Sequence, residues 1–180
     1  MKKTALTPVN STRLINHGPV VMVTSGADKP NIFTAAWNMP VAREENSAII
    51  AIAVNPDHYS YHLIKEHGQF VLNIPGMELL DMVILCGSTS GREIDKFKET
   101  GLTPVKAQAV DVPLIGECIG HIECIFEDEP RPGLILGRVV AASVAEELFD
   151  EVWKIEEIKN RTIHHLGGKY FCYPAERVKS

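Results

Sequence analysis

The segment Asn31-Ile-Phe-Thr-Ala-Ala-Trp-Asn38 constrains the fold most, because it combines the alternation of a β-strand with a run of small side chains. A period of two places its residues on two faces: Ile32, Thr34, Ala36 and Asn38 on one, and Phe33, Ala35 and Trp37 on the other. At Thr34-Ala35-Ala36 the backbone N–H and C=O groups stay accessible, so they can pair with the edge of a flat polar ring. The same small residues would equally let another element pack closely against the sheet.

Other runs with the same character predict a strand-rich chain with a few short helices. Strands are predicted at residues 19–25, 31–37, 47–54, 69–74, 117–127, 134–145 and 169–173. Helices are predicted at residues 61–67, 77–86, 91–100 and 148–159, the first three ending at Gly68, Gly87 and Gly101. Many strands with few helices favour a mainly β fold, a small antiparallel barrel, over a doubly wound sheet. With 180 residues and no linker, residues 1–180 are expected to form a single domain.

Composition and charge exclude several classes of function. The net charge of −5 argues against nucleic acid or an anionic membrane as the main partner. No apolar run approaches the ~20 residues of a membrane span, and no apolar stretch follows the first lysines as in a signal peptide. Four cysteines without a CxxC pair fit free thiols in a reducing compartment. A cytoplasmic protein without a membrane partner is therefore expected.

A metal site is not predicted. Cys118, His121 and Cys124 have metal-ligating side chains, but alternation along a strand places Cys118 and Cys124 on one face and His121 on the other. The three candidate ligands would therefore diverge.

Two predicted helix starts have the chemistry of anion sites. Asn55-Pro-Asp-His-Tyr-Ser60 leads from a buried strand into a helix, with Ser60 as the expected N-cap and His62 beside it. Ser88-Thr-Ser-Gly-Arg92 is a second such turn, with hydroxyls, a guanidinium and Lys96 one turn further on. Ser90 and Glu93 also have the spacing of a capping box. The alternative is that both serines only cap helices while Arg92 and Lys96 lie in solvent.

Familiar catalytic motifs are absent from the sequence. It has no GxGxxG, GxxxxGK[ST], GxSxG or HExxH, so neither a Rossmann dinucleotide site nor a P-loop accounts for the two turns. His165, which precedes Leu166-Gly-Gly168, suits either the rim of an active site or an ordinary loop.

The order and spacing of these segments resemble the flavin reductase-like FMN-binding split-barrel family, in particular its flavoredoxin and ferric-reductase branch. The resemblance covers residues 18–173 and rests on six pieces of sequence. They are Pro19-Val-Val-Met-Val-Thr24, Asn31-Ile-Phe-Thr-Ala-Ala-Trp37, Ala53-Val-Asn-Pro56 with Ser60, Gly68-Gln-Phe-Val-Leu-Asn-Ile-Pro75, Ser90-Gly-Arg-Glu-Ile-Asp-Lys-Phe97 with Gly101-Leu102, and His165-Leu-Gly-Gly168.

This resemblance implies an antiparallel Greek-key barrel, a homodimer, and one FMN per subunit near the dimer interface. It implies that residues 34–37 contact the isoalloxazine ring, that residues 53–62 follow the ribityl chain and phosphate, and that residues 86–96 complete the phosphate end. The implied cofactor-binding residues are Thr34, Ala35, Ala36, Trp37, Ala53, Val54, Asn55, Tyr59, Ser60, His62, Cys86, Gly87, Ser90, Arg92 and Lys96. His62 departs from the hydroxyl or arginine residues expected near the phosphate.

The implied activity is hydride transfer from NAD(P)H to FMN and electron delivery to an acceptor such as free flavin, a ferric chelate or a redox protein. Trp37 would form one wall of the pocket, and His165 would donate a proton or line the nicotinamide entry. Two other classes remain open at this point. One is a flavoredoxin-like electron carrier without its own NAD(P)H reductase activity. The other is a non-redox split barrel or a relative of the pyridoxamine-phosphate oxidases.

Overall fold

The computed structural model describes residue 7 and residues 18–44, 47–150 and 152–178, in which antiparallel strands dominate. The strands are β1 (Val21–Ser25), β2 (Asn31–Ala35), β3 (Asn38–Glu44), β4 (Ser47–Ala53), β5 (Gln69–Ile74), β6 (Pro104–Val105), β7 (Leu114–Ile115), β8 (Gly120–Arg131), β9 (Leu134–Val144), β10 (Phe149–Asp150), β11 (Val152–Trp153), β12 (His164–Gly167) and β13 (Tyr170–Cys172). The helices are α1 (Tyr59–His67), α2 (Leu80–Ser88) and α3 (Lys96–Thr100), and short 3₁₀ turns lie at Met77–Leu79, Glu146–Leu148 and Ile158–Asn160. The predicted mainly β, antiparallel class is confirmed.

The main sheet of the described residues has seven strands in the order β2-β1-β5-β8-β9-β4-β3. Every pairing in it is antiparallel, and the two longest strands, β8 and β9, form a hairpin with three register shifts. Such bulges bend a strand and increase its twist. Phe33 near one end of this sheet and Ile52 near the other belong to the same buried cluster, so the sheet curls around a shared core. A second pair of strands connects to it through a bridge between Pro19 and His164.

Strand alternation divides the core in two. Val21 and Val23 of β1 face the interior of the curled sheet, whereas Met22 faces a second cluster that contains Val83 of α2 and Phe97 of α3. The prediction that alternate residues of the segment 31–37 lie on opposite faces is confirmed, because Ile32 lies in the second cluster and Phe33 in the first. Helices α2 and α3 are therefore fixed against the outer face of β1 and β2, which is where the candidate site lies.

Two of the predicted helix ends are confirmed. Gly68 and Gly101 follow α1 and α3 with φ of 66° and 71°, the left-handed conformation that glycine adopts without a steric penalty. The prediction at Gly87 is wrong by two residues, because α2 continues through Gly87 and Ser88 to a C-cap at Thr89.

The predicted helix at residues 148–159 is wrong. In the described part of that segment the chain forms the short strands β10 and β11 and the 3₁₀ turn at Ile158–Asn160. Its apolar residues have helical spacing, but they do not form one buried face. Leu148 and Ile155 are buried, whereas Val152 and Ile158 are exposed. Tertiary contacts thus overrule a weak local pattern. The sequence reading also missed strand β3, which pairs with β4 across a bulge at Pro40 and Ala42.

Two further expectations concern cysteines and membranes. The four cysteines are free, and Cys118 and Cys124 belong to different buried clusters. Among the described residues no three metal-ligating side chains come together, and no helix there has the length and apolar composition to span a bilayer.

Candidate functional site

The two turns that the sequence marks as anion sites face each other across one polar cavity. This cavity, of about 290 Å³, lies between residues 57–60 at the start of α1 and residues 86–92 at the end of α2. Eight of the predicted cofactor-binding residues line it: Thr34, Tyr59, Ser60, Cys86, Gly87, Ser90, Arg92 and Lys96. Three separate segments of the chain, around Thr34, around Ser60 and at residues 86–96, thus converge at the outer edge of β2.

A second, mostly apolar cavity of about 530 Å³ adjoins the polar one. Thr34, Gly87 and Ser88 line both cavities, so the two form one cleft with a polar half and an apolar half. Aliphatic and aromatic side chains of α2, β13 and the residue that follows β2 contribute the walls of the apolar half: Val83, Ile84, Phe171 and Ala36. His165 and Lys169 lie at the same cavity. The cleft therefore offers hydrogen-bond donors at one end and a hydrophobic surface at the other.

Ser60 is held in the polar cavity by β2 and does not cap a helix, so that prediction is wrong. The N-cap residue of α1 is His58, which makes no side-chain capping bond. Ser60 is buried, and its Oγ accepts a 2.7 Å hydrogen bond from Nδ2 of buried Asn31. Because the Oγ accepts from Asn31, its own proton remains available for an acceptor in the cavity.

The turn at residues 88–92 lines the same cavity. Ser90 Oγ accepts a hydrogen bond from the N–H of Arg92 at 3.2 Å, two residues on, so the predicted capping box with Glu93 does not form. Helix α3 begins later, at Lys96, and is capped by Asp95, whose side chain accepts from Lys98 N. Within the described residues, the N–H groups of Ser90 and Gly91 donate no hydrogen bond. Unpaired N–H groups in such a turn form a concave site for anions.

Gly91 has a packing reason for lacking a side chain. A Cβ atom built at this position would overlap the carboxamide of Asn31, the residue that also holds Ser60. Glycine therefore lets the turn approach β2 closely and keeps both walls of the polar cavity together.

The two cations of the site occupy different environments. Arg92 is exposed; its Nη1 donates to the backbone oxygen of Asp57 at 3.3 Å, and its guanidinium lies 5.4 Å from the centre of the Tyr59 ring. Lys96 is buried, and its Nζ donates to the backbone oxygens of Ile32 and Cys86. The alternative that both cations lie in solvent therefore fails for Lys96. Burial lowers the pKa of Lys96 below its ordinary value.

The cysteine of the site, Cys86, has a thiol of low reactivity. Cys86 is buried in the second core cluster, and burial raises the pKa of its thiol to about 11. A thiol with that pKa is protonated at neutral pH and is a poor nucleophile. Cys86 thus acts as a wall residue rather than a reactive group.

His165 lies at the rim of the apolar cavity, on β12. Its Nε2 is 3.1 Å from the backbone oxygen of Gly168, and its ring packs against Phe171 with ring centres 5.0 Å apart. A carbonyl oxygen only accepts, so Nε2 carries the proton in this contact and Nδ1 is left as the second ring site.

Six of the predicted cofactor-binding residues lie away from the polar half of the cleft, and a seventh, Ala36, lines only the apolar half. Trp37, Ala53, Val54 and Asn55 line a third cavity next to the tip of the β8–β9 hairpin. Ala35 is buried in the core inside the sheet. His62 is exposed on α1, where its ring packs edge-on against that of Tyr61.

The sequence reading missed several residues that line the cleft. Asn31, Phe33, Asp57, His58, Thr89 and Gly91 line the polar half, and Lys169 lines the apolar half. Asp57, His58, Thr89 and Gly91 lie inside the two predicted anion turns, although they were not among the predicted cofactor-binding residues. Asn31 was not identifiable, because its role depends on a contact with Ser60, 29 residues away.

A family profile and several relatives match this chain. The sequence profile of the family described as flavin reductase like domain matches residues 13–165. An uncharacterized protein of Escherichia coli (strain K12), YddH, is 34% identical over 178 residues, which cover 94% of this chain and 93% of that protein.

Solved structures share the fold over the whole chain. Flavoredoxin of Desulfovibrio vulgaris (Miyazaki F) superposes with a TM-score of 0.84 at 24% identity, covering 100% of this chain and 97% of that one. The FMN-binding domain of a flavin reductases-like enzyme from Shewanella baltica OS155 gives a TM-score of 0.84 at 22% identity, covering 98% and 96%. Together with the antiparallel sheet, these similarities confirm the predicted split-barrel fold.

Proposed function

Because the chain belongs to the flavin reductase-like domain family, we propose that it is an FMN-binding oxidoreductase that takes hydride from NAD(P)H and passes electrons to an acceptor. The observation that carries this proposal is the convergence of two donor-rich turns on one cavity that adjoins an apolar one. FMN has the matching shape: a dianionic phosphate at one end and a planar, largely apolar ring at the other.

The donor set of the polar cavity fits a phosphate. The N–H groups of Ser90 and Gly91, which donate to no other described residue, the hydroxyl of Ser60 and the guanidinium of Arg92 are all donors. Charge-assisted hydrogen bonds of this kind are the strong ones, and backbone N–H groups in a turn add a fixed positive field. Of the fifteen residues that line the cavity, only Asp57 has a carboxylate.

We assign the ring to the apolar half of the cleft, beside Thr34 and Ala36. The small side chain of Ala36 leaves room over the backbone, and Val83, Ile84 and Phe171 supply the apolar wall. Trp37, Ala53, Val54 and Asn55 line a different cavity of the same chain. We propose that these four residues face the second subunit of a homodimer. The family resemblance implies that flavin binds near the dimer interface, so the four residues would contact a flavin there.

The redox chemistry would come from the bound flavin, which exchanges hydride and electrons without a protein nucleophile. The residues of the chain bind and orient it: Ser60, Arg92 and the turn at residues 88–92 hold the phosphate end, and the β2 backbone faces the ring. His165 lines the apolar cavity with Nε2 engaged at the Gly168 oxygen, and we propose that its ring exchanges a proton with a reactant there.

A homodimer is supported by an exposed apolar stripe at one edge of the main sheet. Trp37, Met39 and Val41 have exposed fractions of 55%, 60% and 52%, and β3 is the last strand of the sheet. An exposed apolar edge strand is a surface that native proteins cover. We propose that a second copy covers it.

A visible absorption spectrum of the purified chain tests the proposed activity. We expect flavin bands in the protein as purified or after addition of FMN, and anaerobic NADH or NADPH should bleach them rapidly. Bound flavin that is bleached only by an added reductase would favour the electron-carrier class. A chain that gains no flavin bands with excess FMN would refute the proposal and favour a non-redox barrel.

A further inference from the structure

The apolar half of the cleft has one cation at its solvent-exposed rim. Of the eleven residues that line this half, Lys169 is the only lysine or arginine, and none has a carboxylate. The other side chains are aliphatic, aromatic, imidazole or hydroxyl groups, and two of the residues are glycines. The apolar half therefore combines a hydrophobic surface with a single positive charge.

The backbone that carries Lys169 is held at the cavity by a tight turn. Gly168 and Lys169 connect β12 to β13, and Gly167 pairs with Tyr170 across the hairpin. Gly167 and Gly168 have φ of 118° and 60°, values that favour glycine. The oxygen of Gly168, directly before Lys169, accepts the 3.1 Å hydrogen bond from His165 Nε2. A residue that itself lines the cavity thus fixes the turn beside it.

The ammonium of Lys169 is available to an anionic ligand. The side chain is exposed, and the four ion pairs within the described ranges involve other residues. The net charge of the chain is −5, so its overall field does not attract an anion and a local cation has to do so. Apolar walls of low dielectric strengthen that attraction relative to an open surface.

We propose that the electron acceptor of this cleft is a planar aromatic anion, such as a quinone with a carboxylate or sulfonate group, and that Lys169 selects its charge. This inference rests on the proposed function and names the substrate class of the same site. The aromatic part would stack on the flavin ring beside Phe171 and Ile84, and the anionic group would reach Lys169 at the rim. A quinone takes up two electrons and two protons, which is what one reduced flavin releases, so the transfer balances.

The test uses the full chain with FMN bound and two probes of the same shape, benzoate and benzamide. Each should perturb the visible spectrum of the oxidised flavin, and a titration gives its dissociation constant. The wild type should bind benzoate more tightly than benzamide. Lys169→Met should reduce this preference roughly 3- to 10-fold by weakening benzoate alone. Lys106→Met is the matched control, because it removes the same charge from an exposed lysine that lines neither half of the cleft, and it should leave the preference unchanged.

Reoxidation of the flavin provides a kinetic measurement that does not depend on NAD(P)H. After photoreduction of the bound flavin, Lys169→Met should slow its reoxidation by naphthoquinone sulfonate and leave its reoxidation by unsubstituted naphthoquinone unchanged. Reduction of the same variant by NADH or NADPH should proceed at the rate of the wild type. A variant in which only that reduction is slowed would assign the cation to the phosphates of the nicotinamide cofactor and overturn the proposal.

Salt gives a check that needs no variant. Screening weakens an ion pair but not stacking, so the preference of the wild type for benzoate should fall between about 0.05 M and about 0.5 M NaCl. A preference that salt leaves unchanged, or a Lys169→Met variant that binds both probes less tightly by the same factor, would contradict the role of Lys169. A chain that binds no flavin would refute the proposed function itself. A flavin-loaded chain that binds neither probe, or both equally, would refute only this inference.

Discussion

Asn31 of β2 and Ser60 of α1 are joined by a buried hydrogen bond of 2.7 Å between Asn31 Nδ2 and Ser60 Oγ. The bond connects an edge strand of the sheet to the first turn of a helix 29 residues further on. It fixes one wall of the polar cavity, and the carboxamide of Asn31 also contacts Gly91 of the opposite wall. The geometry of the proposed phosphate site thus depends on one amide side chain that touches both of its turns.

Ser60→Ala should lower the free energy of unfolding by about 1–3 kcal/mol, because it leaves a buried N–H of Asn31 without its acceptor. Urea denaturation followed by circular dichroism measures this. The exposed neighbour His62→Ala should change stability by less than about 0.5 kcal/mol. In a double-mutant cycle, Ser60→Ala and Asn31→Ala should be non-additive by at least about 0.5 kcal/mol. Strictly additive effects would show that the bond contributes nothing.

Gly91→Ala should destabilise the protein by about 1–3 kcal/mol, since its methyl group would need the space of the Asn31 carboxamide. It should also weaken FMN binding, because Asn31 and the donor turn would be pushed apart. Thermal unfolding and a flavin titration on the same sample measure the two effects. Gly18→Ala is the control, since the nearest atom to its new methyl would be the oxygen of Asn38 at 3.6 Å. Equal behaviour of the two variants would contradict the close approach at Gly91.

Glu129 ties the β8–β9 hairpin to α1, and its contribution to stability should depend on pH. It accepts hydrogen bonds from Lys65 Nζ, Gly133 N and Tyr61 OH, and the bond from Lys65 is the main reason that its pKa is lowered. A carboxyl whose pKa is lower in the folded state stabilises the fold above its ordinary pKa of about 4.5 and loses that effect as the pH falls through the folded value. Glu129→Gln should cost about 1 kcal/mol at pH 7 and progressively less below pH 4.5.

Chemical denaturation at pH 7 and at pH 3 measures this difference. Glu127→Gln on the same hairpin is the control, because its ion pair is exposed and should contribute little at either pH. A Glu129→Gln penalty of the same size at both pH values would rule out the ionised carboxylate as its source.

The four cysteines should fall into two classes of reactivity. Burial raises the pKa of Cys86 to about 11 and that of Cys124 to about 12, and it also raises the pKa of Cys118. Cys172 is partly exposed. Since the thiolate is the reactive form, Ellman's reagent should titrate one thiol per folded chain quickly and the other three only after denaturation. Cys172→Ser should remove the fast phase, and a fast phase that survives this change would assign it to a buried thiol.

Met39→Glu should convert the proposed dimer to monomers, because it places a charge in the exposed apolar stripe of Trp37, Met39 and Val41. Sedimentation velocity at several protein concentrations measures the change. Ile158→Glu is the matched control, with an exposed fraction of 54% at a site outside the stripe. If the wild type sediments as a monomer, or if both variants remain dimeric, a second copy does not cover this edge.

The local patterns predicted those features that depend on neighbouring residues. Alternation at residues 69–74 predicted β5 with its full bounds. Gly68 and Gly101 predicted two helix ends, because a left-handed helix end depends only on the backbone angles of the glycine itself. The donor-rich turns at residues 55–60 and 88–92 were visible for the same reason, since the hydroxyls, glycine and arginine that characterise them are close in the chain. The helical spacing at residues 148–159 led to a wrong prediction, because Leu148 and Trp153 of this segment pack against the core inside the sheet from short, non-helical elements.

By itself, the sequence determined the strand-rich class and the two faces of residues 31–37, and it marked the two turns for which we propose an anion; all of these follow from periodicity and side-chain chemistry over a few residues. Only the tertiary structure decided that these turns share one cavity, that Ser60 is held by Asn31, and that Lys96 is buried against two carbonyl oxygens. Those relationships join residues between 10 and 64 positions apart. Such contacts depend on how the sheet curls and where α2 and α3 pack, and no local pattern specifies that.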